Sequence, residues 1–172
     1  MLNWILLPFF LVPCLYKTGY KEWVITSKSI TVAGETSFGG FSCGYAINGL
    51  LDTLHLSSAD KLDFDIPVEA FSCGNFMLNR DFRQTLKASE HPKANVEARD
   101  FTPNSEGVEC KIILDIAGEN IEFEKVQLKE LPNMLEANLE MNFEDLGLSP
   151  PRKLGGLIEV DNKLSIHLVL GL

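Results

Sequence analysis

Positive charge is scarce in this sequence, and so are histidine, cysteine and every short motif that binds nucleotides or metals. Its 15 Lys and Arg face 24 Asp and Glu, for a formal charge of -9. An acidic surface repels the phosphate backbone that dominates nucleic-acid affinity, so DNA and RNA are not expected partners. Lys and Arg nowhere cluster, which argues against docking on anionic membranes through a basic patch. There is no Gly/Ser, Pro or Gln tract to make a linker or a disordered tail. His55, His91 and His167 stand far apart and in no metal-ligand spacing, so no metal is expected. Without a G-x-S-x-G elbow, a phosphate-cradling loop or a dinucleotide fingerprint, nothing local points to an enzyme or a cofactor. Catalytic groups can still converge from distant segments.

What remains is a chain of 172 residues, 45% of them hydrophobic, which suits one domain around one core. Its first sixteen residues carry no charge and include Leu2, Trp4, Ile5, Leu6, Leu7, Phe9, Phe10, Leu11 and Val12 before Pro13 and Cys14. The run has the length of a signal-peptide core and is too short for a membrane span. Residues 1–20 are therefore expected to be a signal peptide and 21–172 the folded domain. No Lys or Arg precedes the run and no clear small-x-small site follows it. The alternative is a first core strand. Cys14 is also a candidate lipid acceptor, although Pro13 replaces the small residue that such processing favours.

The body of the sequence alternates apolar and polar side chains, which at a period of two collects the apolar ones on one face of a strand. Ile30 and Val32 begin the pattern, and Phe41, Cys43, Tyr45 and Ile47 resume it after Gly39-Gly40. Leu62, Phe64, Ile66 and Val68 follow, with Pro67 marking a strand end or an edge. Cys110, Ile112, Leu114 and Ile116 form a face, and Gly118-Glu119-Asn120 is read as a hairpin turn before Ile121 and Phe123. The apolar parity then slips to Val126 and Leu128, which predicts a β-bulge at Glu124 and Lys125. Ala137, Leu139, Met141 and Phe143 make another stripe. Leu157, Ile158 and Val160 are expected to meet Leu164, Ile166, Leu168 and Leu170 across a turn at Asp161-Asn162. The intervening carboxylates read as a solvated sheet face rather than as a paired acid and base. The count is about eight antiparallel strands, enough to close a barrel and remove its edges, with a sandwich as the other arrangement.

One stretch breaks the alternation. From Asn75 to Lys87, Leu78, Phe82 and Leu86 recur at intervals of four, the spacing of one helix face. Asn75 or Asn79 can cap the start, and the helix must end before His91-Pro92.

Two of the four cysteines sit in a repeated tetrapeptide, Phe41-Ser42-Cys43-Gly44 and Phe71-Ser72-Cys73-Gly74, each at the end of a strand-like segment. In an oxidising compartment Cys43 and Cys73 are natural disulfide partners. The alternative is two buried thiols. Cys110, on an apolar face, is read as an unpaired core thiol.

The segment from Cys73 to Lys87, read Cys-Gly-Asn-Phe-Met-Leu-Asn-Arg-Asp-Phe-Arg-Gln-Thr-Leu-Lys and followed by Glu90-His91-Pro92, resembles the YceI-like lipid/polyisoprenoid-binding family. In that family a short polar, basic helix stands here, between a strand of the Leu62 to Val68 type and one like Ala94 to Phe101. The resemblance spans residues 23 to 170, and the tandem Phe-Ser-Cys-Gly marks a divergent branch. It implies a lipocalin-like antiparallel β-barrel, periplasmic or secreted, that holds an isoprenoid or fatty chain without chemistry. A homodimer is compatible with it. On this reading Phe64, Ile66, Leu139 and Met141 line the interior, with Phe82 and Leu86 as a lid. The competing expectation is that these six residues simply pack together, in a filled barrel that acts as an envelope protein-interaction module.

Overall fold

Alternation becomes strands almost everywhere it was read. The computed structural model describes residues 22–56 and 60–172; the signal-peptide and Cys14 readings lie outside them. In chain order the elements are β1 (Glu22–Thr36), β2 (Gly39–His55), β3 (Lys61–Pro67), α1 (Phe76–Thr85), β4 (Lys93–Asn104), β5 (Gly107–Ile116), β6 (Glu119–Leu131), β7 (Met134–Asn142), β8 (Arg152–Lys153) and β9 (Ile158–Gly171). Short 3-10 turns at Val68–Ala70, Phe143–Leu146 and Leu154–Gly156 complete the path.

All pairings are antiparallel, in the order β2-β1-β9-β7-β6-β5-β4-β3, with the two-residue β8 added to β9. The eight strands of that path curl into a nearly closed, lipocalin-like barrel. One face of each strand points inward, and Ile30, Val32, Phe64, Ile66, Leu114, Leu139 and Ile166 join one continuous apolar core.

Bulges adjust the inward row where the sequence changes parity. Cys110 pairs with Val126 and Ile112 with Phe123, so both Glu124 and Lys125 lie opposite Lys111. Lys125 adopts a left-handed φ of 54° there. This is the bulge that the slipped pattern called for, and Lys111 closes on it by ion pairs to Glu122 and Glu124. Another bulge lies where β1 pairs β2 between Ile25 and Ser27. Trp23 and Ile25 before it, and Lys28, Ile30 and Val32 after it, are therefore all buried.

Three sequence expectations need correction. No turn exists at Asp161-Asn162: β9 runs through both residues as a single strand. The reversal lies before it, at Leu154–Gly156, where Leu154, Gly155 and Gly156 all take positive φ. Asp-Asn permits a turn, but Gly-Gly adopts left-handed backbone at lower cost. The hairpin between β5 and β6 turns on Ala117 and Gly118 rather than on 118–120, with φ of 54° and 86°, which matches the two positive φ values of a tight hairpin loop. Finally, α1 is capped by Asn75, whose side chain accepts from the Leu78 N–H at 2.9 Å, but its apolar stripe is buried only at one end. Leu78 is 38% exposed, whereas Leu86, the C-cap, is 5% exposed.

Candidate functional site

The barrel closes imperfectly between β2 and β3. Each of these strands pairs on one side only, β2 with β1 and β3 with β4. Sequence explains part of this. Pro67 lacks an N–H to donate, and Lys61, Asp63 and Asp65 point charges outward along β3, which is how edge strands avoid further pairing. On β2, Gly49 takes φ of 75° inside an irregular stretch, since Ile25 pairs with Asp52 but Ser27 with Asn48.

Side chains lace this seam where main-chain ladders do not. Near one end, Gly44 and Ser72 exchange two main-chain hydrogen bonds of 2.9 Å, and the neighbouring Cys43 and Cys73 form a disulfide. The repeated Phe-Ser-Cys-Gly is thus a matched pair of antiparallel segments. Next, Tyr45 of β2 stacks on Phe64 of β3, ring centroids 6.0 Å apart, and touches Phe71 at 6.3 Å; Phe71 in turn meets Phe82 of α1 at 5.0 Å. Further along, Lys28 of β1 reaches beneath β2. Its Nζ donates to the Asp63 main-chain oxygen at 2.9 Å and lies 2.7 Å from Asp52 Oδ2. Tyr45, Ile47 and Leu62 along the seam are only partly buried, although all three pack on the core.

A second discontinuity lies between β6 and β7, which pair only over Lys129–Leu131 and Met134–Glu136. The turn Phe143–Leu146 sits against β6, β7 and β9 there, with Phe143 and Leu146 buried. This gap is plugged by apolar side chains.

The structure gathers the six candidate lining residues into one cluster. Phe64, Ile66, Leu86, Leu139 and Met141 are buried in it and Phe82 packs on its margin. Phe64 and Phe82 lie at the seam, linked through Tyr45 and Phe71. Leu139 and Met141 project from β7, paired with Ile166 and Leu164. Ile66 has no exposed surface at all, so no water-sized void touches it. Open concavities of about 500 and 740 Å³ lie elsewhere, on the outer side of α1 around Arg80 and Arg83 and at the β4–β5 turn around Glu106.

Sequence reasoning passed over Lys28 and gave Phe71 only as part of the repeated tetrapeptide, with no place in the core. A lysine in a strand is ordinarily placed in solvent, and only the parity slip after Ile25 turns this one inward. Phe71 follows a 3-10 turn, outside any alternating run. The remaining polar groups offer little chemistry. Among the described residues no group of three or more His, Cys, Asp or Glu side chains could hold a metal. His167 stays on the outer face, 3.4 Å from Glu136. Cys110 is a free, buried thiol whose pKa burial pushes up to about 12, far from a nucleophile's.

This architecture is a lipocalin-like antiparallel barrel, and solved structures of low sequence identity share it. A polyisoprenoid-binding domain from Saccharophagus degradans implicated in plant cell wall breakdown superposes with a TM-score of 0.56 at 14% identity, over 88% of this chain and 95% of that one. Also similar are Burkholderia cenocepacia BcnA (TM-score 0.47, 15% identity, 83% and 95% covered) and a Campylobacter jejuni YceI protein (TM-score 0.45, 14% identity, 86% and 85% covered). No family model matches the sequence, and no curated protein does.

Proposed function

We propose that this protein binds or carries an apolar chain, an isoprenoid or a fatty lipid, inside its barrel without catalysing a reaction. The observation that carries this reading is the β2–β3 seam, where an apolar inner row at Tyr45, Ile47 and Leu62 stays partly open. Beyond the disulfide and the Gly44–Ser72 bridge at one end, side-chain contacts hold that seam, and they rearrange at lower cost than a strand ladder. A chain entering there gains about 25 cal/mol for each Å² of apolar surface it buries. Phe64, Ile66, Phe82, Leu86, Leu139 and Met141 would then line its path. Because Ile66 is fully enclosed, occupancy requires these side chains to repack around the ligand. The binding domain from Saccharophagus degradans, alike in fold, supports the ligand class.

The Cys43–Cys73 disulfide supports an oxidising location, and with residues 1–20 read as a signal peptide it favours a periplasmic or secreted protein. Native mass spectrometry of protein purified from its host tests the reading. A retained or exchangeable lipid of one per chain is expected. Protein that emerges empty and takes up neither isoprenoids nor fatty acids overturns it.

A second reading has its own support. Ile66, Val108 and Leu135 have no exposed surface, as in a filled barrel, while Phe38, Phe76, Met77, Leu154 and Leu157 are exposed at the end where α1 and the Leu154–Gly156 turn lie. Such a surface suits an envelope interaction module. It is the reading to adopt if the native protein carries no lipid.

A further inference from the structure

Lys28 is the one charged side chain that is buried among the described residues, 6% exposed, and it sits on the inner face of the barrel in line with Ile30 and Val32. Its strand register places it opposite Ile47, and Ile30 opposite Tyr45, so the ammonium lies at one end of the apolar row that the seam leaves partly open. Asp52, its carboxylate partner, differs in one decisive respect: its side chain is 50% exposed. An enclosed ammonium must keep an anion beside it. A half-exposed carboxylate can swing into water and remain hydrated. The pair is therefore asymmetric, with a fixed cation and a replaceable anion.

We propose that Lys28 is the head-group site of the barrel, and that the ligand is a long apolar chain ending in an anion, a carboxylate or a phosphate. The tail enters between Tyr45, Ile47 and Phe64, and the head takes the place of Asp52 on the Lys28 ammonium while Asp63 keeps its main-chain contact. Exchange of one anion for another leaves the interior neutral. A chain ending in an alcohol cannot make that exchange, because displacing Asp52 would leave Lys28 without a counter-charge. This inference rests on the carriage reading and gives it a chemical class.

Binding of palmitate and of 1-hexadecanol, both delivered from cyclodextrin, separates the outcomes. Palmitate is expected to bind about tenfold tighter or more, since hydrogen bonds to charged groups contribute that much. Lys28→Met, similar in length and leaving Asp52 in water, should abolish the difference, and Asp52→Asn should tighten palmitate alone. Equal affinities in the unaltered protein, or a preference that survives Lys28→Met in protein with an unchanged far-UV CD spectrum, would overturn the head-group site and leave carriage standing. Saturable binding of sodium acetate that displaces palmitate would make this a free-anion site and also overturn the proposal. If neither long-chain molecule binds, this inference falls; the carriage reading falls with it when protein purified from its host is also empty and takes up no isoprenoid.

Discussion

Cys43 and Cys73 stand directly opposite each other, one residue from the Gly44–Ser72 bridge, with Cα atoms 4.0 Å apart. Their bond lies at one end of the seam where β2 and β3 form no ladder, and it ties the free edge of β2 to the segment that follows β3. In the chain-entropy account a cross-link with a sequence separation of 30 constrains the unfolded chain. Its loss should lower stability by about 3 to 4 kcal/mol. Urea unfolding with and without reductant measures this, and hydrogen exchange should accelerate at Gly44 and Ser72 more than within the β5–β6 ladder.

The buried Cys110 thiol has a distinct pH signature. Its folded pKa, about 12, lies above the unfolded value near 8.5 to 9. The unfolded chain therefore releases this proton first as pH rises. Stability from Cys110 is full below about pH 8.5 and declines as pH climbs towards 12. Alkaline unfolding of the protein and of Cys110→Ala should show a weaker pH dependence in the variant across that window. Ellman's reagent at pH 8 should find Cys110 unreactive until the protein unfolds.

Two glycines with positive φ differ in what surrounds them. Gly107 has φ of 141°, and an added Cβ would come within 2.8 Å of the Glu130 nitrogen and closer still to the Leu128 carbonyl oxygen. Gly39 has φ of 128° with nothing within 4 Å. Gly39→Ala should cost about 1 to 2 kcal/mol from backbone strain alone. Gly107→Ala should cost clearly more, because backbone must also shift. Comparable urea midpoints for the two variants would contradict the close packing of β5 on β6.

The two asparagines of α1 hold different things. Asn75 caps the helix, so Asn75→Ala should cost about 1 kcal/mol. Asn79 instead accepts from the main-chain N–H of Cys73 at 2.6 Å, anchoring the segment that carries the disulfide. Asn79→Ala should cost about 1 to 3 kcal/mol, as for an unsatisfied, partly buried donor. Thermal unfolding of both variants ranks them.

Strand content was legible because burial on one face imposes a period of two, and even the bulge at Glu124 and Lys125 showed as a change of parity. The disulfide was legible for a related reason: repeated tetrapeptides suggested matched partners. Strand order was not. Alternation says that β3 has one buried face but not that its far edge goes unpaired, so the seam emerged only with the fold. Lys28 escaped for the same reason, since its inward direction depends on a bulge between Ile25 and Ser27 that no glycine or proline of β1 marks; Gly49 lies across from it on β2, and its partner was set only by the fold. The six lining residues were recognisable as core; their relation to an opening was not.

Hydrogen exchange of the disulfide-intact protein, compared with and without saturating palmitate, tests the central claim most directly. The account predicts slowed exchange concentrated along the seam, in the β2 stretch around Tyr45 and Ile47 and in β3 around Phe64 and Ile66, with little change at the exposed Phe76 and Leu154. Protection confined to that exposed end, or no protection anywhere at saturating ligand, would contradict it.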